Sequence, residues 1–257
     1  MKFLKKQYSI ALNQVLINFQ YRFNFIAKVS IYLFQFFIIY FMWKSIYKDS
    51  ELKTIGNYNY NEMIIYILIT NISALVYNFN GIHRIGQLVR TGKLTTILLR
   101  PLSIIEESFS QYLGNKIFAY ILSFLIIIFS NIKFKILSIL YISSTFMMYF
   151  YLTMLIACLG FFIFQTGPLQ GLFNGIFYIL AGVYFPLNLL PGKIYNILKF
   201  NPFSLVSYVL ANILENKLSY EQILIYLLAS ILWIITFRFI LIKIIKKGLN
   251  SYEGMGA

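Results

Sequence analysis

The chain has 257 residues, of which 60% are hydrophobic and only 12% are charged. This much apolar surface cannot be buried in one soluble core, so the composition excludes a soluble globular protein and predicts an all-α, polytopic membrane protein with a single domain over residues 1–257. The net charge of +14 is spread over short loops between apolar segments, which favours anionic lipid headgroups as partners and argues against nucleic acid.

The first predicted element is an amphipathic helix over residues 1–23 that lies in the membrane interface. Polar and basic residues separate its apolar positions at helical spacing, and those positions are Leu4, Tyr8, Leu12, Val15, Leu16, Phe19 and Phe23. One apolar and one polar, basic face are typical of interfacial helices. The start of the chain has no compact apolar region followed by a small-residue cleavage site, so we expect no signal peptide.

Residues 24–242 are predicted to form a bundle of about six membrane spans. The spans cover residues 25–42, 63–79, 103–130, 136–164, 165–185 and 223–242. Capping-box pairs mark the starts of three of them, namely Asn59 with Glu62, Ser103 with Glu106, and Ser219 with Gln222. Residues 185–202 are too polar and too rich in proline to span, which predicts short re-entrant or interfacial helices before the last span.

Basic residues set the predicted orientation. Of the 22 lysines and arginines, 14 fall on the side that carries both termini and the loop after the second span, and eight fall on the other side. Because basic residues are enriched in cytoplasmic loops, both termini are predicted to be cytoplasmic, including the tail over residues 243–257, and the protein is placed in the plasma membrane.

The loop after the second span, residues 84–107, contains a sequence that looks like a phosphate-binding loop. In residues 86–93, however, five residues separate the two glycines where four are required, and Leu94 follows Lys93 in place of Ser or Thr. We therefore expect no ATP binding by this chain. The only histidine is His83 and the only cysteine is Cys158, so we predict no catalytic residue, metal site or cofactor.

Residues 90–101 of this loop have the properties of a coupling element, which must be short, stiff and exposed to a soluble partner. Gly92 permits a turn. Leu94, Ile97, Leu98 and Leu99 offer an apolar face, and Thr91, Pro101 and the charged residues Arg90, Lys93 and Arg100 complete the predicted site. The alternative is an ordinary cytoplasmic loop whose basic residues only fix the orientation.

Two further sets of residues lie inside predicted spans. Gly167, Gly171 and Gly175 recur at every fourth position and permit close helix contact, either within the subunit or at a dimer interface. Gln35 and Asn174 place polar side chains within the membrane, where they either hydrogen-bond to other protein groups or line a translocation path.

Six segments, in order along the chain, carry a resemblance to a known family. They are residues 21–25, 62–66, 92–103, 185–191, 201–203 and 248–256. Together they resemble the membrane (permease) subunit of a type 2 ATP-binding-cassette (ABC) exporter, in particular the compact permeases without a fused ATPase. The sequence departs from the family pattern at Glu215-Asn216 before Lys217, where a glycine is expected. This departure affects only the shape of the outer turn at these residues.

This resemblance implies a six-helix subunit that pairs with a second permease, identical or related, on two separate ATPase subunits that bind ATP and magnesium. The N-terminal helix would be a connector at the inner surface, the loop after the second helix would carry a coupling helix, and the segment before the sixth would form an extracellular re-entrant hairpin. The implied function is ATP-driven export, and lipids, peptides and amphiphilic drugs all suit such a path. An ATP-independent scramblase or pore former is the alternative, but it leaves the basic loop without a role.

Overall fold

The computed structural model describes residues 2–49, 53–129 and 131–252, and most of them lie in helices. Short 3-10 helices cover Cys158–Phe161 and Leu187–Leu189, and an isolated bridge joins Ile55 and Tyr58. The prediction of an all-helical chain is confirmed for the described residues. The α-helices are α1 (Lys2–Gln20), α2 (Arg22–Asp49), α3 (Tyr60–Val76), α4 (His83–Arg90), α5 (Leu94–Leu98), α6 (Ile104–Phe129), α7 (Lys135–Ala157), α8 (Gly167–Leu180), α9 (Gly192–Leu198), α10 (Pro202–Val206), α11 (Tyr208–Leu214) and α12 (Tyr220–Asn250).

The three predicted capping boxes are all present. In each, the side chain of the cap residue accepts a hydrogen bond from the backbone N–H three residues later, and the side chain of that later residue accepts one from the backbone N–H of the cap. The pairs fix the first turns of α3, α6 and α12. Each cap stabilises its helix by about 1 kcal/mol.

Four helices are long and apolar enough to cross a membrane: residues 29–49 of α2, α6, α7 with its 3-10 extension, and α12. They overlap the first, third, fourth and sixth predicted spans, with different bounds. The predicted second span is the 17-residue helix α3. The predicted fifth span contains α8, which has 14 residues. Its length is about 21 Å, which is shorter than a hydrocarbon core of about 30 Å. Ser130 and residues 253–257, which were assigned to the third span and to the tail, lie outside the described residues.

The segment before α12 is built from short helices, as predicted. α9 and the α10–α11 pair are apolar and meet at a bend of 72°. Asn201 stabilises the bend, because its Oδ1 accepts hydrogen bonds from the backbone N–H groups of Phe203 and Ser204 at 2.7 and 2.8 Å. An apolar segment bent this sharply is either a broken span or a re-entrant loop.

Asn216 replaces the glycine that the family resemblance leads us to expect. It has a φ of +56°, which is the left-handed region that glycine and asparagine tolerate best. Its Nδ2 donates to the Asn131 carbonyl oxygen at 3.0 Å, and its Oδ1 accepts from the Lys133 backbone N–H at 2.9 Å. Asparagine therefore supplies the turn geometry and also ties the turn before α12 to the turn before α7.

α7 is the central helix of the bundle. In the most apolar stretch of α7, 67% of the residues are buried, whereas in the corresponding stretches of α2 and α6 only 11% are buried. α12 packs along α7, and the hydroxyl groups of Ser144 and Ser230 are 2.7 Å apart between the two helices. α2 packs on α3, and α6 packs on α1 and α7. Both keep wide apolar faces for lipid or for another subunit.

α1 packs along α6 through a face that is half polar and half apolar, and its lysines Lys5 and Lys6 are exposed. Its half-buried residues recur at helical spacing and are Gln7, Ile10, Ala11, Gln14, Val15 and Asn18. The Gln14 Nε2 donates to the Asn115 Oδ1 at 3.0 Å, and a side chain at Gly114 would overlap the carbonyl oxygen of Ala11. Of the predicted apolar face, Tyr8, Leu12, Leu16, Phe19 and Phe23 are exposed, whereas Val15 lies on the packed side.

Candidate functional site

The loop between α3 and α6 folds into two short helices. α4 ends where Gly92 takes a φ of +67°, a conformation that commonly terminates helices and that glycine adopts without strain. The Gly92 backbone N–H donates to the Val89 carbonyl oxygen at 3.2 Å. α5 follows at once and is only five residues long. The predicted turn at Gly92 is thus confirmed, and it separates α4 from α5.

Glu107 holds both ends of the loop. Its side chain is only 2% exposed, and its Oε1 accepts hydrogen bonds from Arg84 Nη2 at 2.9 Å and from Arg100 Nη1 at 3.2 Å. Burial lowers the pKa of Arg84 from its ordinary value, and the Glu107 carboxylate opposes that shift. The guanidinium group stays charged, because its pKa lies far above neutrality. The start of α4 and the end of α5 are therefore bound to the first turn of α6.

α4 also contacts the end of α7 without intervening side chains. A Cβ atom at Gly160, in the 3-10 helix that follows α7, would lie 2.6 Å from the backbone N and Cα of Gly86, so this close approach requires glycine at position 160. At the end of α4, the Arg90 guanidinium donates to the Phe164 carbonyl oxygen and lies 5.6 Å from the centre of the Phe164 ring. α4 is thereby fixed to the central helix of the bundle.

The predicted apolar contact face of α5 is divided by the fold. Leu94 and Ile97 are 0% and 5% exposed, whereas Leu98 and Leu99 are 42% and 82% exposed. The prediction that all four form one contact face is therefore wrong for Leu94 and Ile97. Residues three apart share one side of a helix, and here that side faces the core. The accessible part of the predicted site is formed by Thr91, Lys93, Leu98, Leu99, Arg100 and Pro101.

The C-terminal end of α12 reaches the same loop. The Tyr252 hydroxyl donates to the Gly92 carbonyl oxygen at 3.0 Å, and it also lies 3.0 Å from the Thr95 hydroxyl. One turn earlier in α12, Gly248 lies against the Phe161 ring, where an added Cβ would come within 2.5 Å of the ring carbon Cγ. The loop is thus attached to α6, α7 and α12.

The glycine ladder lies on an open face of α8. Gly167, Gly171 and Gly175 are exposed, and a Cβ added at any of them would meet no atom of the described chain within 4 Å. The described part of the subunit therefore does not use the ladder for its own helix packing.

An adjacent face of α8 is polar and is bonded within the subunit. Asn174 Oδ1 accepts from the Phe79 backbone N–H at 3.1 Å, and Gln170 Nε2 donates to Asn80 Oδ1 at 2.7 Å. One turn further on, the Tyr178 hydroxyl is hydrogen-bonded to Gln35. The two residues predicted for a translocation path, Gln35 and Asn174, therefore both have hydrogen-bond partners, which connect α8 to α2 and to the end of α3.

Sequence reasoning missed three residues of this site. No contact was predicted for Glu107, Arg84 or Tyr252. A buried role for Glu107 is indicated by one signal, its position between a loop with four basic residues and an apolar span. Tyr252 lies within the C-terminal segment that carries the family resemblance, but the spacing along the chain gives no sign of its partner.

A family model described as "ABC-2 family transporter protein" matches residues 33–256. A search of curated protein sequences finds no match. The matched range begins within α2 and contains the whole loop, the glycine ladder and the bent segment. The match covers most of the chain, including most of the first long apolar helix and all of the other three. The chain therefore belongs to the ABC-2 family of transporter proteins, as a multi-pass membrane protein of the permease type.

Proposed function

We propose that this permease, paired with a second one, forms an export path that separate ATPase subunits drive, and that those subunits dock on α5. The observation that carries the proposal is the exposed pair Leu98 and Leu99 at the tip of a short, anchored helix. Two exposed leucines flanked by Lys93 and Arg100 offer a soluble partner an apolar contact with a charged rim, which is the usual composition of a protein interface.

The anchoring of α5 suits transmission of force. Arg100 binds Glu107 at the start of α6, Tyr252 bonds to Gly92 and Thr95 from the end of α12, and α4 lies against α7. A displacement of α5 by a docked subunit would act on three long helices at once. An ordinary loop that only fixes orientation needs none of these attachments, because its basic residues act through their charge alone.

The second permease, identical or related, is proposed to pack on the glycine face of α8. This face is open in the described subunit, and small residues allow two membrane helices to approach closely. The polar face of α8, which includes Asn174, lies next to it. A path between two permeases would therefore run beside Gln35 and Asn174, whose hydrogen bonds hold α8 in position.

Both termini are proposed to be cytoplasmic, on the same side as α5, and the bent segment before α12 extracellular as a re-entrant hairpin. Of the described basic residues, those near α1, α4, α5 and the end of α12 lie on this inner side, in line with the enrichment of positive charge in cytoplasmic segments. ATP and magnesium are assigned to the ATPase subunits.

The test is ATPase binding by Leu98→Asp and Leu99→Asp. A charge on the contact face must be desolvated when the partner docks, so we expect co-purification of the ATPase to fall about tenfold or more. The matched control is Ile197→Asp, which places the same charge on an exposed isoleucine of α9. Ile97 is unsuitable for this test because it is buried.

Undiminished ATPase binding by both leucine variants would refute docking on α5. Transport by the purified permease in vesicles without an ATPase would instead support the ATP-independent alternative, a scramblase or pore former.

A further inference from the structure

An apolar groove of about 450 Å³ lies between α5, α6 and α12. One wall is formed by leucines and isoleucines between positions 98 and 105, and the other by Ile242, Ile245 and Leu249, which share one face of α12. The two polar residues of the lining are Ser103 and Lys246. The lining contains no aromatic ring, so the groove offers only aliphatic surface and one cation.

The groove lies where the membrane core is expected to end. Ile242 is 22 residues from the start of α12, which is about 33 Å of helix, and the hydrocarbon core is about 30 Å thick. The opposite wall is the first turn of α6. The groove is therefore at the level of lipid headgroups, and on the orientation given under Proposed function it faces the inner leaflet.

The charges around the groove favour an anion at the α12 side. Residues 98–105 and 242–249 contain Arg100, Lys243, Lys246 and Lys247 but no acidic residue. Arg100 is bound to Glu107. At the α6 side, Glu106 already accepts a hydrogen bond from the Ser103 backbone N–H at 2.8 Å, so that helix start is capped and carries a negative charge. Lys246 is the cation that lines the groove itself.

We propose that this groove holds an acyl chain of an anionic phospholipid, with the headgroup phosphate at Lys246. The aliphatic walls match a hydrocarbon chain, and a basic pocket between helices at the cytoplasmic surface matches an anionic headgroup. The bound lipid lies between Leu98 and the end of α12, beside the loop that α12 already holds through Tyr252.

The experiment measures which lipid the purified permease retains. The protein is taken from nanodiscs of equal phosphatidylglycerol and phosphatidylcholine, and bound lipid is counted by native mass spectrometry. We expect phosphatidylglycerol to be preferred, and Lys246→Gln to lower its retention about fivefold, the factor for one lysine near a membrane surface. The matched control Lys243→Gln removes the same charge from a side chain that lies 4.1 Å from the centre of the Phe239 ring and outside the groove lining, so retention should persist.

Ile245→Trp fills the groove while keeping Lys246, and it should also lower phosphatidylglycerol retention. The proposal is overturned by any of three results: no preference for phosphatidylglycerol, equal losses in Lys246→Gln and Lys243→Gln, which would indicate surface charge alone, or undiminished retention in Ile245→Trp. A fourth result, displacement of the lipid by added ATPase, would assign the groove to the ATPase. Because lipid retention by the variants is measured without ATPase, failure here is distinct from failure of ATPase docking.

Discussion

The hydroxyl group of Tyr252 donates a hydrogen bond to the carbonyl oxygen of Gly92 at 3.0 Å, across 160 positions of sequence. The same hydroxyl lies 3.0 Å from the Thr95 hydroxyl. One side chain just after α12 thus contacts both the turn before α5 and the first turn of α5. The position of α5 is therefore coupled to the position of the C-terminal end of α12.

Tyr252→Phe removes only this hydroxyl group, which should cost the attachment about 1 kcal/mol. We expect α5 to become more mobile. The measurement is the mobility of a spin label on Thr96→Cys, an exposed residue of α5, in a Cys158→Ser background. Tyr220→Phe, at the other end of α12, is the control. Equal label mobility with and without the Tyr252→Phe substitution would show that the contact does not restrain the loop.

Glu107→Gln should destabilise the subunit by about 1–3 kcal/mol, because a buried carboxylate that binds two arginines is lost. The cost is moderated by the partial exposure of Arg84 and Arg100. Glu106→Gln is a matched control one residue away, since glutamine preserves the capping box with Ser103. Thermal unfolding in detergent measures the difference, and equal melting temperatures for the two variants would contradict the buried role of Glu107.

Local patterns predicted the helix starts well. The capping boxes at Asn59, Ser103 and Ser219 depend on side chains three residues apart, so the sequence contains all the information needed. The length of a span is less local. Residues 165–185 are apolar enough to be predicted as one span, but α8 ends at Leu180 before a turn at Gly182, where the following short helices pack against it.

The partners of the loop could not be predicted in the same way. Arg84 and Glu107 are 23 residues apart, and Tyr252 and Gly92 are 160 apart, so only the packing of α4, α6 and α12 brings them together. Within α5, five residues make little more than one helical turn, which is too short for periodicity to indicate which side faces the core. The sequence therefore located the candidate site, and the fold determined which of its residues are accessible.

Gly171→Leu and Gly175→Leu should leave the isolated subunit folded, because no atom of the described chain lies within 4 Å of an added Cβ, and leucine favours helix more than glycine does. If the second permease packs on this face, pairing should fall. Co-purification of two differently tagged copies, or of this chain with a related permease, measures it. Gly192→Leu, also in open space, is the control, and undiminished pairing in the α8 variants would exclude this interface.

Glu215 should make stability depend on pH. Burial raises the pKa of its carboxyl group, and Lys217, whose Nζ lies 2.9 Å away, opposes that shift. A carboxyl with a raised pKa contributes its full stability below its unfolded pKa of about 4.3, and this contribution is lost as the pH rises through the folded pKa. Glu215→Gln should therefore flatten the decline of melting temperature as the pH rises above about 4. Parallel pH profiles for the two proteins would contradict this.

The proposed orientation predicts which cysteines react with an impermeant thiol reagent in intact cells. In a Cys158→Ser background, Thr54→Cys and Asn196→Cys should be labelled, whereas Lys5→Cys and Ser251→Cys should be protected until the cells are opened. All four positions are exposed on the subunit, so accessibility differs only through the membrane. Labelling of either terminal position in intact cells would contradict the proposed orientation.

The packing of α1 on α6 has a consequence for biosynthesis. The Gln14 side chain bonds to Asn115, 101 residues later in the chain, and translation at about 5–20 residues per second delays that partner by roughly 5–20 s. During this interval the face of α1 that packs on α6 lacks its partner. Its exposed apolar side chains, among them Tyr8, Leu12 and Leu16, can hold the nascent helix at the membrane surface. Docking of α1 on α6 therefore cannot begin until α6 has been synthesised, and a ribosome stalled before α6 would leave this face of α1 without its partner.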